Sequence, residues 1–265
     1  MNIPPPGPIC SDVSASFTAN ITSGSAPLTV SFTDDSTSQD PITSWSWNFG
    51  DGSTSTSKNP THTYTNPGTY TVTLMAGNTC GNSATKSASI TVSPCPPVTA
   101  QFSANVTTGY APLTVQFTDL STSGVPITSW LWNFGDGSNS TSQNPTHTYT
   151  NPGTYTVTLK AWNSCGNSAT KSASITVSPC PPVTAQFSAN VTTGYAPLTV
   201  QFTDLSTSGV PITSWLWNFG DGSNSTSQNP THTYTNPGTY TVTLTVTNSC
   251  GNSATKSASI TVSPC

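Results

Sequence analysis

The sequence predicts an all-β protein built as three tandem antiparallel β-sandwiches in an extended array. Two observations support this prediction. The heptapeptide WNFGDGS begins at residues 47, 132 and 217, so the chain repeats every 85 residues (132 − 47 and 217 − 132). Within each repeat, apolar residues alternate with Thr and Ser, which is typical of strands with one face in a core and one in water. We expect no helix.

The period divides the chain into a tail and three domains. The proline-rich N-terminal tail is residues 1–9, and the domains are residues 10–94, 95–179 and 180–265. Copies two and three differ only where the tripeptide at 160–162, Lys-Ala-Trp, becomes Thr-Val-Thr at 245–247. Such near-identity argues against a division of catalytic labour between the domains.

The third copy shows the expected strands in order along the chain. Period-two alternation marks each strand, and Pro and Gly between the strands supply the turns. The apolar residues of the five strands are Ala185 and Phe187; Leu198, Val200 and Phe202; Trp215, Trp217 and Phe219; Tyr240, Val242, Leu244 and Val246; and Ala258, Ile260 and Val262. Short strands with turn signals about every ten residues are typical of a β-sandwich.

The GDGS segment after the Trp-rich strand has three interpretations. A phosphate cradle needs a helix N-terminus and a Lys, which the sequence does not provide here. A calcium loop of the EF-hand type needs a Glu, and the chain contains none. We therefore interpret the segment as a tight turn with permissive glycines and a capping aspartate. A weak calcium site at Asp51, Asp136 and Asp221 is the alternative.

Composition excludes several classes of function. Charged residues are 5% of the chain and the net charge is −4, so no basic face is available for nucleic acid. No apolar run approaches the ~20 residues that span a bilayer, so we expect no membrane insertion. The first residues, MNIPPPGPIC, do not resemble a secretory signal. Either the protein is not secreted or the sequence begins after processing.

The seven cysteines favour the second of these explanations. They are spaced alternately 70 and 15 residues apart and lack CxxC spacing, so we expect disulfides and an extracellular or cell-surface location. Two pairing registers fit the spacing. In the 15-residue register, Cys250 and Cys265 would lie ~25 Å or more apart along one strand, whereas bridged Cα atoms lie within ~7 Å. The 70-residue register is therefore preferred: Cys10–Cys80, Cys95–Cys165 and Cys180–Cys250. It leaves Cys265 unpaired or intermolecular.

Catalytic and metal chemistry lacks support in the residues. His62, His147 and His232 occur once per copy without a second ligand at metal spacing, so we expect a structural hydrogen bond for each. The acidic pairs, Asp119 with Asp136 and Asp204 with Asp221, fall on a strand end and a turn. No serine has the partners of a nucleophile. We expect no enzyme activity, no cofactor and no metal beyond the weak calcium alternative.

Three long motifs carry a family resemblance. APLTV, then SW-x-WNFGDGS, then NPTHTYTNPGTYTVTL occur in this order in every copy, and together they resemble the polycystic kidney disease (PKD) domain. The resemblance implies an immunoglobulin-like sandwich found in extracellular proteins as a spacer, adhesion unit or substrate-binding accessory. It places Trp47, Trp132 and Trp217 in the core and assigns the GDG aspartates to a structural turn. It implies no catalytic residue.

Surface positions distinguish a structural role from a binding role. Trp162 is the clearest outward-facing aromatic residue and occurs in one copy only, so it does not form a repeated sugar platform, and a contact with another subunit is an equal alternative for it. Tyr110 and Tyr195 replace Ser25 of the first copy and keep binding of surface glycans open. Five Asn residues lie in acceptor sequons for glycosylation: Asn20, Asn105, Asn139, Asn190 and Asn224.

The sequence therefore predicts an extracellular structural protein, a repeat-built stalk or self-assembling surface filament with an adhesive or spacer role. Cys265 is in phase with Cys10, Cys95 and Cys180, so we expect either further copies or head-to-tail joining of subunits. In the second case, Pro4 to Cys10 would contact residues 263–265 of the next chain. The alternatives are a carbohydrate-binding or adhesion segment of a larger secreted enzyme, and a fibre or decoration protein of a virus particle.

Overall fold

The computed structural model describes residues 10–265, and every regular element in this range is a β-strand. The first copy contains eight strands: β1 (Phe17–Ala19), β2 (Ser23–Ser25), β3 (Leu28–Asp34), β4 (Ile42–Asn48), β5 (Thr54–Ser55), β6 (Thr61–Tyr64), β7 (Gly68–Asn78) and β8 (Ser83–Ser93). They form a five-stranded sheet, β2-β8-β7-β4-β5, and a three-stranded sheet, β1-β3-β6.

The second and third copies repeat this order with two added short strands, one at the start of the copy and one after the counterpart of β3. The second copy contains β9 (Val98–Thr99), β10 (Phe102–Ala104), β11 (Thr108–Tyr110), β12 (Leu113–Asp119), β13 (Thr122–Ser123), β14 (Ile127–Asn133), β15 (Asn139–Ser140), β16 (Thr146–Tyr149), β17 (Gly153–Asn163) and β18 (Ser168–Ser178). The third contains β19 (Val183–Thr184), β20 (Phe187–Ala189), β21 (Thr193–Tyr195), β22 (Leu198–Asp204), β23 (Thr207–Ser208), β24 (Ile212–Asn218), β25 (Asn224–Ser225), β26 (Thr231–Tyr234), β27 (Gly238–Asn248) and β28 (Ser253–Ser263).

The sheet order of the third copy matches that of the first. Its five-stranded sheet has the order β21-β28-β27-β24-β25, its three-stranded sheet the order β20-β22-β26, and β19 pairs with β23. The second copy has the equivalent sheets β11-β18-β17-β14-β15, β10-β12-β16 and β9-β13. These sheets confirm the predicted all-β fold class of tandem sandwiches.

One strand pair in each copy departs from the purely antiparallel prediction. β2 runs parallel to β8, with Ser23 opposite Thr91, and β11 with β18 and β21 with β28 repeat this pairing. In the first copy, β1 belongs to the three-stranded sheet, whereas β2 forms the edge of the five-stranded sheet. There β2 lies beside β8, the last strand of the domain.

The last strand is also longer than predicted. The apolar pattern marked residues 258–262, but β28 spans Ser253–Ser263 and pairs with β27 along its length. Only Ile260 and Val262 are buried, and Ala258 is exposed. The extra residues are held by the backbone ladder and by hydroxyl pairs on the outer face, so hydrophobicity does not reveal them.

Aromatic residues fill the core between the two sheets. In the third copy, Trp217 is fully buried and its ring lies 5.3 Å from that of Phe202 and 5.1 Å from that of Phe187, measured between centroids. The first copy repeats this cluster around Trp47. The buried position of Trp47, Trp132 and Trp217 agrees with the expectation from the family resemblance.

Candidate functional site

The GDG segment forms a tight turn at the end of the Trp-rich strand. In the third copy, Gly220 and Gly222 have φ values of +82° and +95°, which favour glycine. A Cβ on Gly220 would lie 2.7 Å from the carbonyl oxygen of Thr241, so this position also requires close backbone approach. The Asp221 carboxylate accepts a hydrogen bond from the Ser223 amide at 3.0 Å. These contacts are those of the structural turn inferred from the sequence.

Each turn aspartate is paired with the histidine of its own domain. The Nε2–Oδ2 distance is 2.7 Å in all three pairs: His62–Asp51, His147–Asp136 and His232–Asp221. The His232 ring stacks on Phe219, with centroids 4.2 Å apart, and meets the edge of Tyr234. The sequence predicts a structural hydrogen bond for each histidine but does not identify its partner. The available signal was that one His and one GDG Asp recur together in every copy.

Hydrogen bonds keep the turn aspartates ionised. Burial alone would raise the pKa of Asp221, but hydrogen bonds from Ser223 and His232 outweigh it and lower the pKa to about 2. The pKa of Asp136 is about 2 for the same reasons, with Ser138 and His147 as the donors. Each of these carboxylates therefore carries its charge throughout the neutral pH range.

The Ser, His and Asp side chains of the turn cannot act as a catalytic triad. Ser223 Oγ lies 3.3 Å from His232 Nε2, the same nitrogen that contacts Asp221. A triad needs the serine and the carboxylate on opposite ring nitrogens, so that the imidazole can take a proton from one while the other holds it. Here both groups face one nitrogen. The cluster fastens the turn to β26, and the geometry offers no proton relay.

The surroundings of the turn aspartates do not supply the ligands of a calcium site. Calcium takes six to eight oxygen ligands, whereas donors from Ser223 and His232 already occupy both oxygens of Asp221. Within residues 10–265, no group of three or more His, Cys, Asp or Glu side chains is placed to hold a metal ion.

Asp204, which forms the predicted acidic pair of the third copy with Asp221, has hydrogen-bond partners of its own. Asp204 Oδ2 accepts hydrogen bonds from Trp215 Nε1 at 2.7 Å and from Gln228 Nε2 at 3.2 Å, and its Oδ1 accepts one from the Ser206 amide. Burial raises the pKa of Asp204, but these hydrogen bonds outweigh it and lower the pKa. A glycosidase acid needs a raised pKa. Neither Asp204 nor Asp221 is held protonated for that role.

An open cleft of about 690 Å³ lies beside Asp204 in the third copy. It is lined by Asp204, Ser206, Thr207, Ser208, Gly209, Val210, Pro211, Ile212, Trp215 and Gln228. Trp215 is only partly buried, although its i, i+2 spacing with Trp217 predicted a core position. The alternating pattern does not predict this cleft, because the residues that line it come from two separate segments, within 204–215 and at 228.

The cysteines adopt the register with a separation of 70 residues. The bridges are Cys10–Cys80, Cys95–Cys165 and Cys180–Cys250, with Cα–Cα distances of 5.7, 6.1 and 6.2 Å. Cys265 is exposed and free, and its Sγ donates to the carbonyl oxygen of Ala196 at 2.8 Å. The proposed contact of Pro4 to Cys10 with another chain falls largely on residues 1–9, which lie outside the described residues, and it stays a prediction.

A buried asparagine organises the disulfide end of each domain. Asn248 Nδ2 donates to the Pro181 carbonyl oxygen and to Ser208 Oγ, and its Oδ1 accepts from the Asn252 amide. Asn78 and Asn163 occupy the same position in the other copies and are 5% and 3% exposed. These residues were not predicted. Their signal in the sequence is the recurring N-x-C-G-N spacing.

The predicted surface residues are accessible. All five sequon asparagines, Asn20, Asn105, Asn139, Asn190 and Asn224, are exposed. Tyr195 is 69% exposed and Tyr110 is 44% exposed. Trp162 is partly exposed, and the Lys160 ammonium lies 4.8 Å from its ring centroid. The lysine therefore covers part of the indole face that a partner would contact.

Comparison with known proteins agrees with the resemblance in the motifs. The profile of the family described as PKD domain matches residues 12–92, 94–177 and 179–262. The chain belongs to the PKD domain family. These matches account for nearly the whole sequence. Among residues 10–265, we find no helix of the length and apolarity that crossing a bilayer requires.

The chain matches short segments of much longer named relatives. The chain is 53% identical over 51 residues to Collagenase ColA of Bacillus cereus, which is 19% of this chain and 5% of that protein. It is 46% identical over 52 residues to Microbial collagenase of Vibrio alginolyticus, which is 20% of this chain and 6% of that protein. The PKD1 domain of the Vibrio cholerae metalloprotease PrtV is a solved structure with 39% identity; the match covers 31% of this chain and 96% of that domain, with a TM-score of 0.28.

Proposed function

We propose that this chain is a non-catalytic extracellular structural protein, in which tandem PKD domains act as a spacer in a stalk or surface filament. The observation that carries the proposal is the repeated disulfide frame. Each copy has a bridge between its first residue and the tip of its last hairpin, and the same bridge recurs three times. Disulfides of this kind persist in oxidising compartments, which supports a location outside the cytoplasm.

The position of the bridge suits a chain that carries tension. In the third copy, force that enters at Cys180 passes through the disulfide to Cys250 and leaves along β28. This strand is held on both sides, by β27 in antiparallel and by β21 in parallel pairing. Most of the sandwich therefore lies inside the covalent loop, so the tension is carried by the disulfide and β28 and not by the other strands. We infer that each domain keeps its length under load.

The surface composition also supports this role. Charged residues are 5% of the chain, and the outer face of β27 presents Thr at every second position from 239 to 247. Hydroxyl groups keep such a face hydrated without strong charge repulsion between neighbouring chains. A spacer packed at high density on a surface needs both properties.

Labelling in the source organism tests the proposal. An antibody against the chain should label intact cells or material in the medium, and six of the seven cysteines should resist alkylation until a reductant is added. Labelling that appears only after permeabilisation, with cysteines that are alkylated directly, would contradict an extracellular structural role.

A second candidate function is an adhesion or carbohydrate-binding segment of a larger secreted enzyme. It is favoured by the matched segments of two bacterial collagenases and by the exposed rings of Tyr110 and Tyr195. Mass spectrometry of the native polypeptide, recovered with the same antibody, separates the two candidates. Peptides from a catalytic domain on the same chain would favour the enzyme segment, and PKD repeats alone would favour the spacer.

A further inference from the structure

We propose that the cleft beside Trp215 is a binding site for a neutral oligosaccharide. This inference goes beyond the spacer role and does not depend on it. The cleft is open, with a volume of about 690 Å³, and its lining combines apolar and polar side chains, as ligand sites do. Val210, Pro211 and Ile212 line it together with the indole, and a run of three hydroxyl side chains, 206–208, lines it as well.

The aromatic residue of the cleft is held in a fixed orientation. Asp204 Oδ2 accepts hydrogen bonds from Trp215 Nε1, at an N–O distance of 2.7 Å, and from Gln228 Nε2, at 3.2 Å. One carboxylate therefore orients both side chains. Because the indole is partly buried, one part of it packs on the core while the rest faces the cleft. A ring that is already oriented loses little conformational entropy when a ligand stacks on it.

Hydrogen-bonding groups remain available beside this ring. Within the described residues, the Gln228 carbonyl oxygen and the Thr207 hydroxyl make no hydrogen bond to another protein group, and both residues are exposed. A pyranose presents apolar C–H groups on its ring face and hydroxyls around its edge. Such a ligand would place its face on Trp215 and its edge against Gln228 and Thr207, all three of which line the cleft.

Other ligand classes fit less well. The Asp204 carboxylate already accepts bonds from Ser206, Trp215 and Gln228, so little of its charge is left to recognise a cation or a basic peptide. Proline-rich peptides dock in grooves lined by several aromatic rings, and this cleft has one. A neutral saccharide requires neither a free charge nor a second ring.

The first copy provides an internal contrast. Lys58 stands at the position of Gln228, and its ammonium lies 5.7 Å from the centroid of Trp45, the counterpart of Trp215. The ring face that would stack on a sugar is therefore covered by a cation. Asp40 stands at the position of Val210, and its carboxylate accepts a hydrogen bond from Ser11, so a charged residue replaces an apolar one there. The chain itself thus shows that lysine is accepted at this position of the fold.

The test uses the full chain and a substitution copied from its own first repeat. The second copy carries the same residue types as the third, so Gln143→Lys and Gln228→Lys are introduced together. The matched control is Met75→Lys with Thr245→Lys, which adds the same two charges on the outer sheet face, where copy two naturally has Lys160. Circular dichroism verifies that both variants fold.

Isothermal titration calorimetry with cellohexaose, chitohexaose and mannohexaose gives the readout. We expect the wild-type chain to bind at least one of these probes, the Gln143→Lys, Gln228→Lys variant to bind it at least tenfold more weakly, and the control variant to bind it as the wild type does. No heat of binding with any of the three probes would overturn the proposal. An affinity that changes less than threefold in the Gln variant, or that falls equally in the control, would overturn it too.

Discussion

At the scale of single residues, the aspartate of each GDG turn serves structure. Asp221 ties its own turn together through Ser223 and connects that turn to β26 through His232. The pair is partly accessible, and exposed ion pairs contribute at most about 1 kcal/mol. Three hydrogen bonds on one carboxylate, from the Ser223 amide, the Ser223 hydroxyl and His232, nevertheless fix its position, because charge-assisted hydrogen bonds are stronger than neutral ones.

Replacing Asp51, Asp136 and Asp221 together by Asn should lower the free energy of unfolding by about 1 kcal/mol per domain. The amide keeps the shape of the side chain but loses the charge that strengthens its hydrogen bonds. Guanidinium denaturation followed by fluorescence measures this change. Asp35→Asn is the control, because within the described residues the Asp35 side chain makes no hydrogen bond; a similar loss in this control would show that the turn contacts are not the cause.

The same triple variant tests the calcium alternative. With the turn contacts as described, millimolar calcium should leave the melting temperature of the wild-type protein unchanged, because donors from Ser and His already occupy the carboxylate oxygens. A melting temperature that rises strongly with calcium, and a loss of this response in the triple variant, would instead identify the turn as a metal site.

Acid should destabilise the protein in a defined range of pH. The pKa values of Asp136 and Asp221 are about 2, below the ordinary value of 3.8. A lowered folded-state pKa contributes stability that is present above the unfolded-state value and lost as pH falls through the folded-state value. The melting temperature should therefore fall between about pH 4 and pH 2, and fall less in the triple Asn variant. An equally steep fall in that variant would contradict this assignment.

At the scale of elements, the two glycines of the turn have different reasons to be glycine. Gly50 and Gly52 both have positive φ, +84° and +94°. A Cβ on Gly50 would lie 2.7 Å from the Thr71 carbonyl oxygen on β7, whereas a Cβ on Gly52 would meet no atom within 4 Å. The first glycine lets two strands approach closely, and the second only allows the chain to turn.

Gly50→Ala should therefore destabilise the first domain more than Gly52→Ala does. The second change costs the left-handed conformation alone, about 1–2 kcal/mol, while the first also forces backbone atoms apart. Hydrogen exchange of peptides from the first domain, whose sequence differs from the other two copies, reports each effect separately. Equal loss of protection in the two variants would contradict the close approach to β7.

The alternating pattern was sufficient to predict strands whose inner face is apolar. It predicted β22, β24 and β27, because burial of every second residue produces the pattern itself. It did not predict the first half of β28, where Thr243–Ser257, Thr245–Thr255 and Thr247–Ser253 hydroxyl pairs replace apolar contacts. Hydroxyl pairs resemble any other Ser- and Thr-rich segment in this sequence.

The site was less accessible to sequence reasoning than the fold. The glycine turn could be predicted from local spacing, since its contacts lie within a few residues. The Asp–His pair joins residues 11 apart, and the cleft joins Asp204 to Gln228, so both depend on how strands cross. Local pattern does not encode such crossings, and a single sequence provides no co-variation to reveal them.

At the scale of the whole chain, each domain contains one covalent loop. Peptide mapping under non-reducing conditions should recover Cys10 with Cys80, Cys95 with Cys165, and Cys180 with Cys250. Each bridge closes a loop of 70 residues, worth roughly 4 kcal/mol in the chain-entropy model. Recovery of Cys80 joined to Cys95 would contradict the register and the tension path drawn from it.

Stretching a single chain by its two ends tests the spacer role most directly. With the bridges closed, unfolding one domain frees only the residues between successive loops, such as 81–94, or at most ~5 nm at about 3.6 Å per residue. After reduction, the three copies should unfold in three equal steps. Each 85-residue copy should release ~30 nm of extended chain, from which the length of the folded domain is subtracted. The Cys265→Ser variant prevents linkage between chains during the measurement. Short extensions in the oxidised protein and three long ones after reduction are the predicted result, and long steps that appear with the bridges intact would contradict the account.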